Sequence, residues 1–420
     1  MAEKFIIKGN KPLQGEIEVM GSKNAAGPVL AAALLTKEAC IIDNLPQIQD
    51  INNILNVLKS LGVEIENLGG RKIKIKAENV NAEKLDFESF SKTRMSVLLI
   101  GSLLLRSENF IFPSPGGDKI GLRPISLHTK VLNKLGANIE KKDNYYEVKR
   151  GDLKGKEIVL DEFSVTATEV LMMAASLTKG TTIIKGAAAE PHVKDLGIVL
   201  NEMGAKVHGH GTHDITIEGV EKLHGFEYLV SPDYLEAGTF IVAAALTPGD
   251  VIVKNVDHSH LDLFLAKLEE IGVNMERGEN QIKVLHSPHL ASTKVQALPH
   301  PGFPTDLLPI IIPLLIKAQG KTLIHDPLYE NRLSYLHELK KMGADIEIVD
   351  PHRAFVFGPK RLIGTTVDSS DIRAGACLVV AGLMAEGTTT INNIFQIDRG
   401  YEKIEERLQK LGADIKRINS

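Results

Sequence analysis

The stretch 335–347, YLHELKKMGADIE, changes its period in the middle. Up to Met342 its apolar residues recur at helical spacing, and beyond Gly343 they alternate as in a strand. Glycine takes the left-handed conformation that ends a helix most readily, so Gly343 reads as the stop. The phrase recurs five more times: LGVEIE at Gly62, LGANIE at Gly136, MGAKVH at Gly204, IGVNME at Gly272 and LGADIK at Gly412. The successive intervals are 74, 68, 68, 71 and 69 residues. Six copies at a near-constant period describe a repeat architecture.

Each copy shares one grammar. An apolar helical run such as LMMAASL or TFIVAAAL comes first. A β-rich strand follows, as in GTTIIKG, GDVIVKN, GKTLIHD and GTTTINN. A second, amphipathic helix then runs to the glycine, and a strand pair comes after it. One such unit cannot bury both of its helices. Three packed together can, with helices inside and sheets outside. The expected fold is therefore α/β, with two domains of three β/α units each. A chain of 420 residues is also too long for one ordinary core.

One unit departs from its siblings. From the strand-opening position to the closing glycine there are 24 residues in the third unit (Gly180 to Gly204) and 23 in the fourth (Gly249 to Gly272). The fifth has 23 (Gly320 to Gly343), the sixth 25 (Gly387 to Gly412) and the first 24, counted from Glu38. The second has 28, from Glu108 to Gly136. Its surplus falls in the opening stretch, where SPGGDKIGLRP, 114–124, sets Asp118, Lys119 and Arg123 among three glycines and two prolines. An overlong loop on a repeated scaffold is where function tends to be added.

The bulk properties exclude several classes. Apolar residues make up 43% and charged residues 24%, a soluble globular balance. Net charge is 49 − 53 = −4, without a nucleic-acid footprint or a basic membrane patch. Cys40 and Cys377 read as small buried hydrophobes, which fits a reducing, cytoplasmic location. MAEKFIIKGNKPLQG lacks the apolar region of a signal peptide. The longest apolar run, LLPIIIPLLI at 307–316, is too short to span a bilayer and reads as core.

Charges gather where elements begin. GSKNAAGPVLAAALL sets Lys23 and Asn24 before an Ala-rich helix, and SKTRMSVLLIGSLLL sets Arg94 at the head of another. SSDIRAGACLVVAGLM does the same with Asp371 and Arg373, IDRGYEKIEERL places Arg399 before a helix, and GFPTDLLP places Asp306 after a proline turn. Alone, each reads as a cap or a solvated charge, with Asn24 capping and Lys23 in water. Together, cations at helix starts oppose the helix dipole, a cost that a ligand bearing phosphate and carboxylate would offset. The usual nucleotide motifs fail: GKT at 320–322 has Leu315 where a P-loop needs glycine, and GHGTH at 209–213 lacks a third glycine. His208, His210, His213, His258 and His260 fit hairpin positions better than a metal site.

Eight blocks in order carry a family resemblance: GSKNAAGPVLAAALLT, PGGDKIGLRPISLH, AAAEPHVKDL, SPDYLEAGTFIVAAA, PGFPTDLLP, YENRLSYLHELKKMGA, DIRAGACLVVAG and QIDRGYEKIEERLQKLGA. Over nearly its full length the chain resembles the bacterial UDP-N-acetylglucosamine (UDP-GlcNAc) enolpyruvyl transferases. The resemblance implies two inside-out α/β barrels, the enolpyruvyl transferase fold, with a catalytic-loop domain at 22–231. The second domain would be 1–21 plus 232–420, with the active site in the cleft between the two. By match, Lys23, Arg123 and Arg399 would hold the phosphate of phosphoenolpyruvate, and Arg373 and Arg399 would lie near its carboxylate. Arg94 would join that cationic cluster. Asn24, Asp306 and the backbone around Leu328 would orient the sugar nucleotide. Arg123, Pro124, Ile125, Ser126 and Leu127, with Ser164 and Val165, would line the uridine side. Asp306 would be the base for the sugar 3′-hydroxyl. Asp118 would donate a proton to the substrate methylene or to the leaving phosphate. No metal and no organic cofactor is implied. The partners would be small molecules only, with no nucleic acid and no membrane, in a monomer or weak homo-oligomer.

The sequence also departs from the family pattern. Most members carry Cys where Asp118 stands, and a minority carry Asp. Ser126 replaces an Asp, and Glu162 and Thr166 replace a Lys and a Gly beside the uridine site. Two alternatives therefore stay open: transfer to a different acceptor, or a non-catalytic protein that binds a sugar nucleotide. The retained Lys23, Arg94, Arg123, Asp306, Arg373 and Arg399 argue against the second. An aspartate is ionised at neutral pH, so Asp118 is expected to gain its proton only in the closed, loaded enzyme. Fosfomycin alkylates the usual thiol in this family. A carboxylate is the poorer nucleophile, so resistance is expected.

Overall fold

A computed structural model describes residues 3–419. The chain divides by contacts into two compact units: Gly21–Gly117 with Arg123–Ser231, and residues before Gly21 with Asp118–Leu122 and those from Pro232 onward. We call these the first and second unit. The expected boundaries put Asp118–Leu122 with 22–231 and Gly21 with the other domain; by contacts both fall the other way.

All six repeat glycines take positive φ, from +88° at Gly62 to +124° at Gly136. At Gly136 a Cβ would also lie 2.3 Å from the Asp152 carbonyl oxygen, so no side chain fits there. The helix stop read from the sequence is therefore a backbone requirement repeated six times.

Among the described residues each unit carries three sheets. In the first, Ala39–Asp43, Lys72–Lys76 and Glu64–Gly69 form an antiparallel set, and Glu227–Leu229 adds parallel to Ala39–Asp43. Thr181–Lys185 likewise takes Glu157–Val159 in parallel on one side and Asp214–Glu218 antiparallel on the other, with Lys206–His208 beyond it. The second unit repeats the pattern, with Gly15–Glu18 parallel to Val251–Lys254, Val295–Gln296 to Gly320–His325, and Thr366–Asp368 to Thr388–Asn392. In each case the fourth strand comes from outside the repeat, which ties neighbouring repeats together. Among the described residues one sheet lacks it: Asn109–Pro113, Tyr145–Lys149 and Asn138–Lys141 stand as three strands. That sheet opens the unit with the overlong loop.

The strand ends explain why this matters. Asn44 and Asn255 follow the opening strands in left-handed conformation, and their side-chain amides donate to Val230 O and Val19 O, both at 2.9 Å. Each Asn thus pins its strand end to the added parallel strand. Ser114 stands at the matching place after Pro113, beside no such strand. The chain is free to leave the sheet there as a long loop.

The helices divide by burial. Tyr234–Leu246 is buried at every residue, and Ile372–Met384 at all but the last. Leu308–Lys317, the apolar run, packs on both of them and is buried through Ile316. Gln49–Ser60, by contrast, buries only a face that includes Ile51, Ile54, Val57 and Leu58. Each unit therefore has its own core of helices inside sheets. Burial pushes the Cys40 thiol up to about 12 and that of Cys377 well above its ordinary value, which removes both as nucleophiles.

Glu169, in the buried helix Val165–Ser176, yields a stability prediction. Burial, then the charges of Glu190 and Asp195, raise its carboxyl well above 4.5. Its raised folded value means the contribution is fully present below about 4.5 and is lost as pH rises. Glu169→Gln keeps a neutral side chain of the same shape. Denaturant midpoints at roughly pH 5 and pH 8 should fall less for the variant than for the parent. Equal falls would show that Glu169 carries no such penalty.

Candidate active site

In the first unit, helix Lys23–Ala32 is capped by Ser22, whose Oγ accepts from Ala25 N at 3.3 Å. Asn24 lies inside the first turn, so its expected capping role belongs to Ser22. Lys23 is not in water either. Its Nζ lies 2.9 Å from Asp50 Oδ2, with side-chain exposures of 11% and 1%. Asp50, in the polar-looking helix Gln49–Ser60, offsets the cation at this helix start.

Arg94 opens the short helix Arg94–Leu98 behind the cap Thr93, as expected. Its Nη2 donates to Pro124 O at 3.3 Å. A Cβ on Gly117 would lie 2.8 Å from Arg94 Cβ and 3.5 Å from Arg123 Nη1. Arg94 and Arg123 thus converge at one end of the loop, where a side chain at 117 would intrude.

The residues expected on the uridine side also meet. Ser126 and Leu127 start helix Ser126–Leu135, and Ser164 caps Val165–Ser176. His128 Nε2 and Thr166 Oγ1 join the two helices at 2.8 Å. Burial, with Arg94 nearby, lowers His128 to about 3, so the imidazole is neutral. Thr166 is thereby accounted for. Nothing in the structure explains Ser126 or Glu162.

In the second unit, Asp306 sits in the turn Thr305–Leu307. Arg332 Nη2 donates to its Oδ1 at 2.5 Å, and Arg373 Nε to its Oδ2 at 3.1 Å. Arg332 Nε also donates to Thr305 Oγ1 at 3.2 Å, and that hydroxyl donates to Asp326 Oδ2 at 2.5 Å. Asp326 is fully buried, and its Oδ1 accepts from Leu328 N at 2.9 Å and Tyr329 N at 3.2 Å. One chain of bonds therefore orients Asp306 and the Leu328 backbone together. Burial works against the Arg332 charge, but Asp306, Asp371 and Asp326 outweigh it.

Arg373 is the second residue of its helix, and Asp371 caps it by accepting from Arg373 N and Ala374 N. Its guanidinium lies 5.4 Å from the Tyr401 ring centroid. Asp118 Oδ1 accepts from Arg399 Nη1 at 2.5 Å, with exposures of 15% and 11%. Arg399 donates to Gln396 Oε1 as well, at 2.8 Å. It does not begin a helix. It closes the single turn Phe395–Asp398, and the next helix starts at Ile404. Burial raises the Asp371 carboxyl, and the Asp118 charge adds to that against Arg332.

The cations were expected to await an external anion. Here Lys23, Arg373 and Arg399 each hold a carboxylate of the chain itself. Sequence reasoning missed Asp50, Arg332 and Asp326, because a buried charge looks like any other until its burial is known. Among the described residues no three His, Cys, Asp or Glu side chains gather as metal ligands would. His213 pairs with Ala187 O and His258 with Gln281 O.

Known proteins share this arrangement of elements. The family profile for EPSP synthase (3-phosphoshikimate 1-carboxyvinyltransferase) matches residues 7–408. A protein of Carboxydothermus hydrogenoformans named UDP-N-acetylglucosamine 1-carboxyvinyltransferase 1 is 43% identical over 99% of both chains. One of Caldanaerobacter subterraneus, numbered 3 under the same name, is 45% identical over 99% of both. In fold, the chain matches an enolpyruvyl transferase from Streptomyces tendae with a TM-score of 0.91, at 23% identity over 100% of this chain and 99% of that one. It matches an EPSP synthase from Acinetobacter baumannii at 0.77 and 20% identity over 100% of both. The chain is thus an enzyme of the EPSP synthase family, and within it a member of the group whose curated relatives are named UDP-N-acetylglucosamine 1-carboxyvinyltransferase.

Proposed function

We propose that the protein transfers the enolpyruvyl group of phosphoenolpyruvate to the 3′-hydroxyl of UDP-GlcNAc and releases phosphate. This would be the first committed step of peptidoglycan synthesis, carried out in the cytoplasm by a monomer or weak homo-oligomer. No helix among the described residues is long and apolar enough to cross a membrane. The relatives' names support the acceptor. The observation that carries the mechanism is a pair of ion pairs: Asp306 with Arg373, and Asp118 with Arg399.

Each pair joins a proposed proton carrier to an arginine assigned to phosphoenolpyruvate. Phosphoenolpyruvate brings its own carboxylate and phosphate, which compete for the same guanidinium groups. When Arg373 turns to the substrate, Asp306 keeps Arg332 but loses its second partner. Its basicity rises, and it takes the proton of the 3′-hydroxyl as that oxygen bonds to C2. When Arg399 turns away from Asp118, that carboxylate is freed to pick up a proton and deliver it to C3. The tetrahedral adduct then breaks its C2–O bond to phosphate. Lys23, Arg123 and Arg399 take the phosphate charge, and loss of a C3 proton restores the double bond.

A second reading, the same chemistry on another acceptor, draws on Thr166. Its bond to His128 sets a polar pair where the family pattern has glycine. Phosphate release from phosphoenolpyruvate, measured against a panel of sugar nucleotides, decides between them. UDP-GlcNAc should give the highest kcat/KM. No turnover with it, alongside turnover with another acceptor, would establish the second reading.

A further inference from the structure

We propose that Glu330 and Asn331 are positioning residues that fasten the Asp118 loop, and so set where Asp118 acts. This rests on the proposed role of Asp118 in the reaction. Residues 118–122 form neither helix nor strand, so their backbone groups need partners elsewhere. Three of those partners come from two adjacent residues. Glu330 Oε1 accepts from Leu122 N at 2.6 Å. Asn331 Nδ2 donates to Lys119 O at 2.7 Å, and Asn331 N to Ile120 O at 3.0 Å.

Gly121 supplies an independent sign that the contact is built. Its φ is +148°, and a Cβ there would lie 2.4 Å from Glu330 Oε2. Only a residue without a side chain lets the carboxylate approach this closely. The Leu122 amide holds the Glu330 carboxyl below its ordinary value, as an accepted hydrogen bond should.

The turn that bears this clasp also serves Asp306. Asp326 anchors it through Leu328 N and Tyr329 N, and Arg332, the residue after Asn331, holds Asp306. One rigid turn thus sets the places of both proposed proton carriers. Glu330 and Asn331 touch no reacting atom. They act through the backbone of the loop.

The test uses trypsin on the full chain, because Lys119–Ile120 lies inside the clasp. Glu330→Ala should be nicked there about tenfold faster than the parent, the weight of one charge-assisted hydrogen bond, with an unchanged melting temperature. Glu330→Gln keeps an acceptor oxygen and should restore most of the protection. Gly121→Ala, which pushes the carboxylate out, should mimic Glu330→Ala. In the phosphate-release assay kcat should fall about tenfold, with KM for UDP-GlcNAc changed less than about twofold. Parental nicking rates in both Glu330→Ala and Gly121→Ala would overturn the clasp. Faster nicking with an unchanged kcat would overturn the positioning role. A parent protein that releases no phosphate would remove the reaction reading and the positioning role with it, while the nicking rates still decided the clasp.

Discussion

Asp306→Asn should lower kcat for phosphate release by about a thousandfold, the middle to upper range for loss of a general base. Asn keeps the size of the side chain and can still accept from Arg332, so the fold should survive. It cannot accept the 3′-hydroxyl proton. Calorimetric titration with UDP-GlcNAc separates lost chemistry from lost binding, and affinity should change much less than kcat. A variant within about tenfold of the parent kcat would remove Asp306 from the role of base. The buried neighbours explain why one residue weighs so much. Arg332 holds one carboxylate oxygen, Thr305 and Asp326 brace Arg332 from behind, and this hold remains when Arg373 turns to the substrate. A base so fixed loses little entropy on reaching its working geometry.

Asp118→Asn should cost about a hundredfold to a thousandfold in kcat, since it removes the carboxyl that delivers the proton to C3 and the loop holds no second carboxyl to replace it. Asp118→Cys should keep turnover, because a thiol can donate where the carboxyl did. The two forms should differ toward fosfomycin. The parent should resist it, and Asp118→Cys should lose activity in a time-dependent way. A fosfomycin adduct on Asp118 in the parent protein, found by mass spectrometry, would contradict this.

The fold was legible because its signal is a backbone requirement. Six glycines with positive φ leave the same mark at each repeat. The overlong loop was legible for the same reason, since five siblings define its normal length. The strands shared between repeats were not, because Glu227–Leu229 or Val295–Gln296 is too short to show a period. In the site, the residues expected from the family motifs fell into local groups. Their partners did not show. Asp50 lies on a helix that looks solvated, and Glu330 and Asn331 are exposed residues some two hundred positions from the loop they hold. Two local readings failed at a single residue. Ser22 and Asn24 are both good caps, and only the extended backbone at Ser22 decides between them. Arg399 looked like a helix start, but Lys403, with φ of +42°, resets the chain and delays the helix to Ile404.

The central claim is that phosphoenolpyruvate displaces Asp118 from Arg399. Calorimetric titration of the free protein with phosphoenolpyruvate alone, parent against Asp118→Asn, tests it most directly, since no acceptor is present and no turnover interferes. Removing the competing charge should tighten binding by about tenfold, or ~1.4 kcal/mol, in the same variant that has lost turnover. Equal or weaker binding by Asp118→Asn would show that Asp118 does not occupy the substrate's place on Arg399, and would contradict the exchange.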